Sequence, residues 1–150
     1  MKLKFTPFFA FILFVSSCVS TKSTLMNVDN NAPIPTLSKE GFFALTNFSK
    51  DKKYGYDKDY PINVFYRNSN SEDINQKRFL NALAGPNGEV ISYTKTGICC
   101  PFPSKNVVTG GGFLDVYEIT YKGLKMPIIL YLNRYERGEL SVPVGFGLKK

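Results

Sequence analysis

The 150-residue chain contains no histidine, and that absence narrows its chemistry more than any residue it carries. A Ser-His-Asp triad, a Cys-His dyad and a histidine-ligated metal site are all excluded. Any general acid or base has to be Asp, Glu, Lys, Tyr or Cys, its pKa moved by burial or by a neighbouring charge. Cysteine is scarce, with three in the chain. Two thiolates without an imidazole fall short of a zinc site, so neither metal nor cofactor is expected. Long apolar runs are also missing. The uninterrupted stretch from Phe8 to Val15 has secretory length, whereas a membrane-spanning helix needs about 20 such residues.

That apolar stretch has the layout of an export signal. Met1-Lys2-Leu3-Lys4 gives a positive start, Phe8 to Val15 the apolar centre, and Ser16-Ser17 the small residues that cleavage requires. Val15-Ser16-Ser17-Cys18 resembles the lipobox of bacterial lipoproteins, an aliphatic residue and two small ones before a cysteine that becomes lipidated. The resemblance implies cleavage after Ser17 and acylation of Cys18. Val19, where an Asp would retain a lipoprotein in the inner membrane, implies the outer membrane. Residues 1–17 are therefore expected to be a signal peptide, and the partner implied is the membrane, through the anchor.

Removing Lys2 and Lys4 with the leader leaves 17 basic against 12 acidic side chains, a balance of +5. An exported basic domain meets lipid headgroups and anionic glycans before it meets nucleic acid. An envelope protein or an anionic glycan is thus a candidate partner, and nucleic acid is not. The remainder is one modest domain, large enough to hold a core without metal or several disulfides.

Val19 to Glu40 is rich in Ser, Thr, Asn and Pro and shows no periodicity. Residues 18–40 read as the lipidated cysteine and a flexible tether, with an end-to-end distance of roughly 25 Å. Residues 41–150 read as a single α+β domain, one main helix packed on a three- to four-stranded, mainly antiparallel sheet. Ser71-Glu72-Asp73 offers an N-cap with acids in the first turn, and Ile74 to Ala84 continues as the helix before Gly85-Pro86. Ile74, Phe79, Leu80, Ala82 and Leu83 would face a sheet, with Gln76, Lys77 and Asn81 toward water. Glu89 to Thr94 reads as a strand. Phe113 to Tyr121 and Pro127 to Leu132, joined by a Lys122-Gly123 turn, predict an antiparallel hairpin, and Leu140 to Val144 a last edge strand limited by Pro143.

Cys99-Cys100-Pro101 is the one chemically unusual feature of the mature domain. Three arrangements stay open for Cys99 and Cys100: a vicinal disulfide in a strained eight-membered ring, a pair of inert packed thiols, or bonds between chains. The ring would act as a reducible switch or as a stiff apolar plate under a ligand. Gly110-Gly111-Gly112 leads into a strand rather than a helix, which points to a flexible connector and not to a phosphate cradle. Lys50 to Tyr60, basic and aromatic, reads as a solvated loop with its tyrosines packed inward, and could also take an anionic headgroup or a sugar. Alternation places Asp115 and Glu118 on opposite faces, so they form no acid–base pair. With Glu136 and Glu139 they are expected to balance Lys122, Lys125, Arg134 and Arg137. No catalytic residue is assigned.

Five segments, YGYDKDYPINV at 54–64, KRFLNALAGPNGEVISY at 77–93, GICCPF at 97–102, GGGFLDVYEITYKGLKMPIILYLN at 110–133 and GEL at 138–140, together resemble a family of small lipoproteins from Gram-negative bacteria. In genomes these carry either no function or the label 2-dehydro-3-deoxyphosphooctonate aldolase. The enzyme of that name is a (β/α)₈ barrel. This chain lacks the alternating βα pattern of such a barrel, so no catalytic residue follows from the label. The expectation is a membrane-anchored lipoprotein of the cell envelope with a binding or structural domain, the alternative being a redox-responsive or enzymatic domain centred on Cys99 and Cys100.

Overall fold

The computed structural model describes residues 23–65 and 73–149. The leader, Cys18, the Ser71-Glu72 part of the expected N-cap and Lys150 lie outside the described residues. The elements in chain order are β1 (Ile62–Asn63), α1 (Ile74–Leu80), β2 (Leu83–Ala84), β3 (Ile91–Pro103), β4 (Gly111–Tyr121), β5 (Ile128–Asn133) and β6 (Gly147–Leu148). Four of them make the main sheet in the order β1-β5-β4-β3, and β2 pairs with β6 separately. The class is α+β, with a short helix and much sheet.

The hairpin forms where the density of β-branched and aromatic residues on either side of Lys122-Gly123 placed it. β4 and β5 run antiparallel with Ile119 opposite Ile128, Tyr117 opposite Leu130 and Asp115 opposite Leu132. Cross-strand partners share a face of a pleated sheet, so Tyr117, Ile119, Leu130 and Leu132 all enter one core. That core also takes Ile62, Val64, Phe79, Leu80, Leu83 and Val142. Ile119, Leu130, Leu132, Phe79 and Leu80 are completely buried, each contributing roughly 1.5 to 3 kcal/mol by leaving water.

The helix begins at Ile74, with Asp73 as its cap residue and not an acid of its first turn, and ends at Leu80, short of Ala84. Ala82 already turns back to the Phe79 carbonyl, and Leu83 and Ala84 are drawn into pairing with Leu148 and Gly147. Tertiary pairing overrides the helix-forming preference of the segment. The expected strand over Leu140 to Val144 is replaced by a single bridge from Val142 to Phe48, and the terminal strand lies later, at β6.

The stretch after Met26 does not stand off as a tether. Met26 N donates to the Asp59 carbonyl at 2.8 Å and Asp29 N to that of Arg137 at 2.8 Å. The side chain of Asn27 donates to the Glu139 carbonyl at 2.8 Å. Asn63, completely buried, donates through Nδ2 to the carbonyls of Met26 and Asn27 and accepts at Oδ1 from Asn133 Nδ2. A Cβ at Gly138 would stand 2.0 Å from the Asn27 carbonyl oxygen, so a glycine is required for this close approach. Ala32 is buried, and Leu37 bridges Phe43.

Candidate functional site

β3 is the edge of the main sheet and contains the cysteine pair, so the expected strand over Glu89 to Thr94 is only its beginning. Two irregularities interrupt its pairing with β4. Lys95 opposes Tyr117 while Gly97 opposes Val116, which leaves Thr96 as an extra residue, and Cys99 opposes Leu114 while Phe102 opposes Gly112. Cys100 and Pro101 therefore face Phe113 alone, a bulge of the kind that bends a strand and blunts an edge. Cys99 and Cys100 are joined to each other by a disulfide, and Cys100 has a left-handed backbone, φ 59. Around the ring, Ile98 is 62% exposed and Phe113 48%, an uncovered apolar rim on a soluble surface.

Gly111 and Gly112 are not a connector: both belong to β4, and only the turn from Ser104 to Gly110, closed by the Ser104 N to Gly110 carbonyl bond at 2.9 Å, is loop. The space explains the residue choice. A Cβ at Gly112 would meet the Tyr135 ring at 2.7 Å and the Phe102 ring at 3.0 Å, rings that themselves pack 6.3 Å apart.

Opposite Ile98, one residue before the ring, Asp115 gathers a polar cluster that no local pattern in the sequence announced. Asp115, 1% exposed, sits on the same face as Ile98 and Tyr117. Its Oδ2 accepts from Arg134 Nε at 2.9 Å and its Oδ1 from Arg134 Nη2 at 2.8 Å. Lys95 Nζ adds a contact to Oδ1 at 2.7 Å, and Gln76 Nε2 donates to Oδ2. Tyr117 completes the chain by donating its hydroxyl to Gln76 Oε1 at 2.8 Å, and Arg134 also reaches Asp73 at 3.6 Å. Burial alone would raise the Asp115 carboxyl; the bonds from Arg134, Lys95 and Gln76 outweigh it and hold the group below its ordinary range. The Tyr117 hydroxyl is pushed strongly upward, first by burial and then by the Asp115 charge.

Of the four acids named from the sequence, Asp115 takes the expected basic partner in Arg134, whereas Glu139 accepts from Asn47 Nδ2 and Glu136 from Asn106 Nδ2. Gln76, expected on the watery face of the helix, is completely buried. Its signal was present: position 76 lies three and four residues before Phe79 and Leu80, on their side of a 3.6-residue turn. The Lys50–Tyr60 loop keeps its tyrosines inward, Tyr54 stacking edge-on against Tyr60 at 5.3 Å and Tyr56 donating its hydroxyl to the Val144 carbonyl. Among the described residues no three acids or cysteines gather as a metal site, and no helix is long and apolar enough to cross a membrane. No family model, curated protein or solved structure matches the chain.

Proposed function

We propose that this chain is a lipoprotein of the bacterial envelope, anchored to the outer membrane through Cys18, whose small α+β domain binds or supports another envelope component and does not itself catalyse. The observation that carries the non-catalytic part is the closure of the Asp115 cluster. Its carboxylate receives four bonds from Arg134, Lys95 and Gln76, leaving neither a lone pair poised for a substrate proton nor a loose base beside it. Such a cluster specifies how α1, β3, β4 and β5 dock. The lipobox-like run at residues 15–18 and the resemblance to small Gram-negative lipoproteins support the address. Cys18→Ala should abolish acylation, read as the loss of the acyl mass, and release the protein from the membrane fraction, because several acyl chains bind almost irreversibly. Retention of Cys18→Ala at the wild-type level in that fraction would sink the anchor.

A second reading rests on the bonded Cys99–Cys100 pair in an exposed edge strand. In it the ring is a reducible element, and an envelope thiol–disulfide oxidoreductase would take the disulfide over, leaving two thiols here and a disulfide in the partner. Trapping of a mixed disulfide with Cys99 or Cys100 would favour this reading, and equal growth phenotypes of the wild type and of Cys99→Ser/Cys100→Ser under oxidative stress would count against it.

A further inference from the structure

Between Cys18 and the domain there is much less free chain than the sequence suggested, and its point of entry marks one side of the domain. Cys18 precedes Met26, the first residue bonded to the domain, by eight positions, a span of about 28 Å at full extension. A domain of this size has a radius of gyration of about 14 Å, so the anchor holds it within less than its own diameter of the lipid. The entering chain is clamped at Met26 to the Asp59 carbonyl. Asp59 belongs to the Lys50–Tyr60 loop, which in turn is tied to the sheet by the Tyr131 N to Gly55 carbonyl bond at 2.8 Å.

The charge layout of that loop is lopsided. Two of its acids are folded onto backbone amides, Asp51 accepting from Lys53 N at 2.9 Å and Asp57 from Asp59 N at 2.9 Å, and Asp59 is paired with Lys58. Lys50, Lys52 and Lys53 are exposed and have no acidic partner among the described residues. Resting on the lipoprotein reading, we propose that the Lys50–Tyr60 loop is a membrane-contacting face that lies on anionic phospholipid headgroups, with the Cys99–Cys100 end of the sheet turned away from the bilayer. The occupant is a lipid surface because the anchor delivers one to this loop, and the unpaired lysines supply the complementary sign.

The chain has no tryptophan, so one introduced at a time reports its own surroundings. Mature lipidated protein carrying Lys52→Trp, or Val108→Trp on the fully exposed β3–β4 turn, is reconstituted into vesicles of phosphatidylethanolamine and phosphatidylglycerol containing some brominated lipid. The Lys52→Trp protein should be quenched at least twofold more than the Val108→Trp protein. Adding Lys50→Glu and Lys53→Glu to the Lys52→Trp protein should remove most of that difference, since each lysine changes surface partitioning roughly fivefold, and phosphatidylcholine vesicles should do the same. Equal quenching of the lipidated Val108→Trp and Lys52→Trp proteins, or quenching of Lys52→Trp in phosphatidylcholine as strong as in phosphatidylglycerol vesicles, overturns the proposed face while leaving the anchor standing. Protein whose mass lacks the acyl chains overturns the anchor and the inference with it.

Discussion

Replacing Asp115 by Asn keeps the shape of the side chain and removes its charge, which makes it the sharpest probe of the cluster. In the wild type each carboxylate oxygen accepts two bonds: Oδ1 from Lys95 and Arg134 Nη2, Oδ2 from Gln76 and Arg134 Nε. Whichever way the new amide is turned, its NH₂ meets two donors, and Lys95 and Arg134 become like charges around a neutral group. Removing one partner from a buried pair costs roughly 3 to 5 kcal/mol, against a total of about 5 to 15 for a domain. Near neutral pH the midpoint of thermal unfolding should fall by roughly 10 to 20 °C. The sign of the pH dependence follows from the carboxyl being held low in the folded state. The folded chain binds that proton less readily than the unfolded chain, so the stabilisation is complete above the ordinary Asp pKa of about 3.9 and is lost as pH falls through the folded value. The gap between wild type and Asp115→Asn, measured by urea unfolding, should therefore be constant from about pH 5 to 8 and close below about pH 4. A loss under about 0.5 kcal/mol at pH 7, or a gap that widens in acid, would refute the assignment of Asp115 as the keystone of this docking.

Leu130→Ala, at a completely buried position, should cost roughly 2 to 5 kcal/mol in urea unfolding. Gly112→Ala puts a methyl into the Tyr135 and Phe102 rings; overpacking of this kind costs about 1 to 3 kcal/mol, whereas Gly88→Ala, with open space around it, should lose only the smaller cost of its positive φ. Denatured but unreduced protein, assayed with a thiol reagent, should show no free thiol from Cys99 and Cys100 and should gain two on reduction; two free thiols before reduction would show that the ring does not form in the isolated protein.

The parts of the fold that were legible in the sequence are those with a strong local composition. Phe113 to Tyr121 and Pro127 to Leu132 are dense in β-branched and aromatic residues, and their turn is marked by Gly123, so the central hairpin could be placed from residues alone. The presence of α1 was legible from its apolar spacing, although Asp73 caps it and does not enter its first turn. Its end was not, because Leu83 and Ala84 answer to Leu148 and Gly147, more than sixty positions away. The N-terminal strap was read as a tether because it has no periodicity, and it is ordered instead by single bonds to Asn63, Asp59 and Arg137, contacts that no local pattern announces. Gly112 illustrates the same difficulty in miniature: its missing side chain answers to the ring of Tyr135, a residue beyond the next strand. The Asp115 cluster was half legible. Arg134 was one of four basic residues expected to balance the acids of this region, but its particular pairing with Asp115 and the shares of Lys95 and Gln76 depend on the Thr96 irregularity in β3 and on how α1 packs on the sheet.

The clamped strap has a mechanical consequence. If Cys18 carries the proposed anchor, a pull along it reaches the domain at Met26, and the load falls first on a handful of hydrogen bonds, Met26 to Asp59, Asn63 to Met26 and Asn27, Asn27 to Glu139, and Asp29 to Arg137. Those bonds join the strap to the β1 side of the sheet, so tension peels a short outer ribbon before it strains the β4–β5 pairing that holds the core. On that anchor the strap would be the first part to yield, and its release would lengthen the leash by several residues while the β4–β5 pairing stays closed.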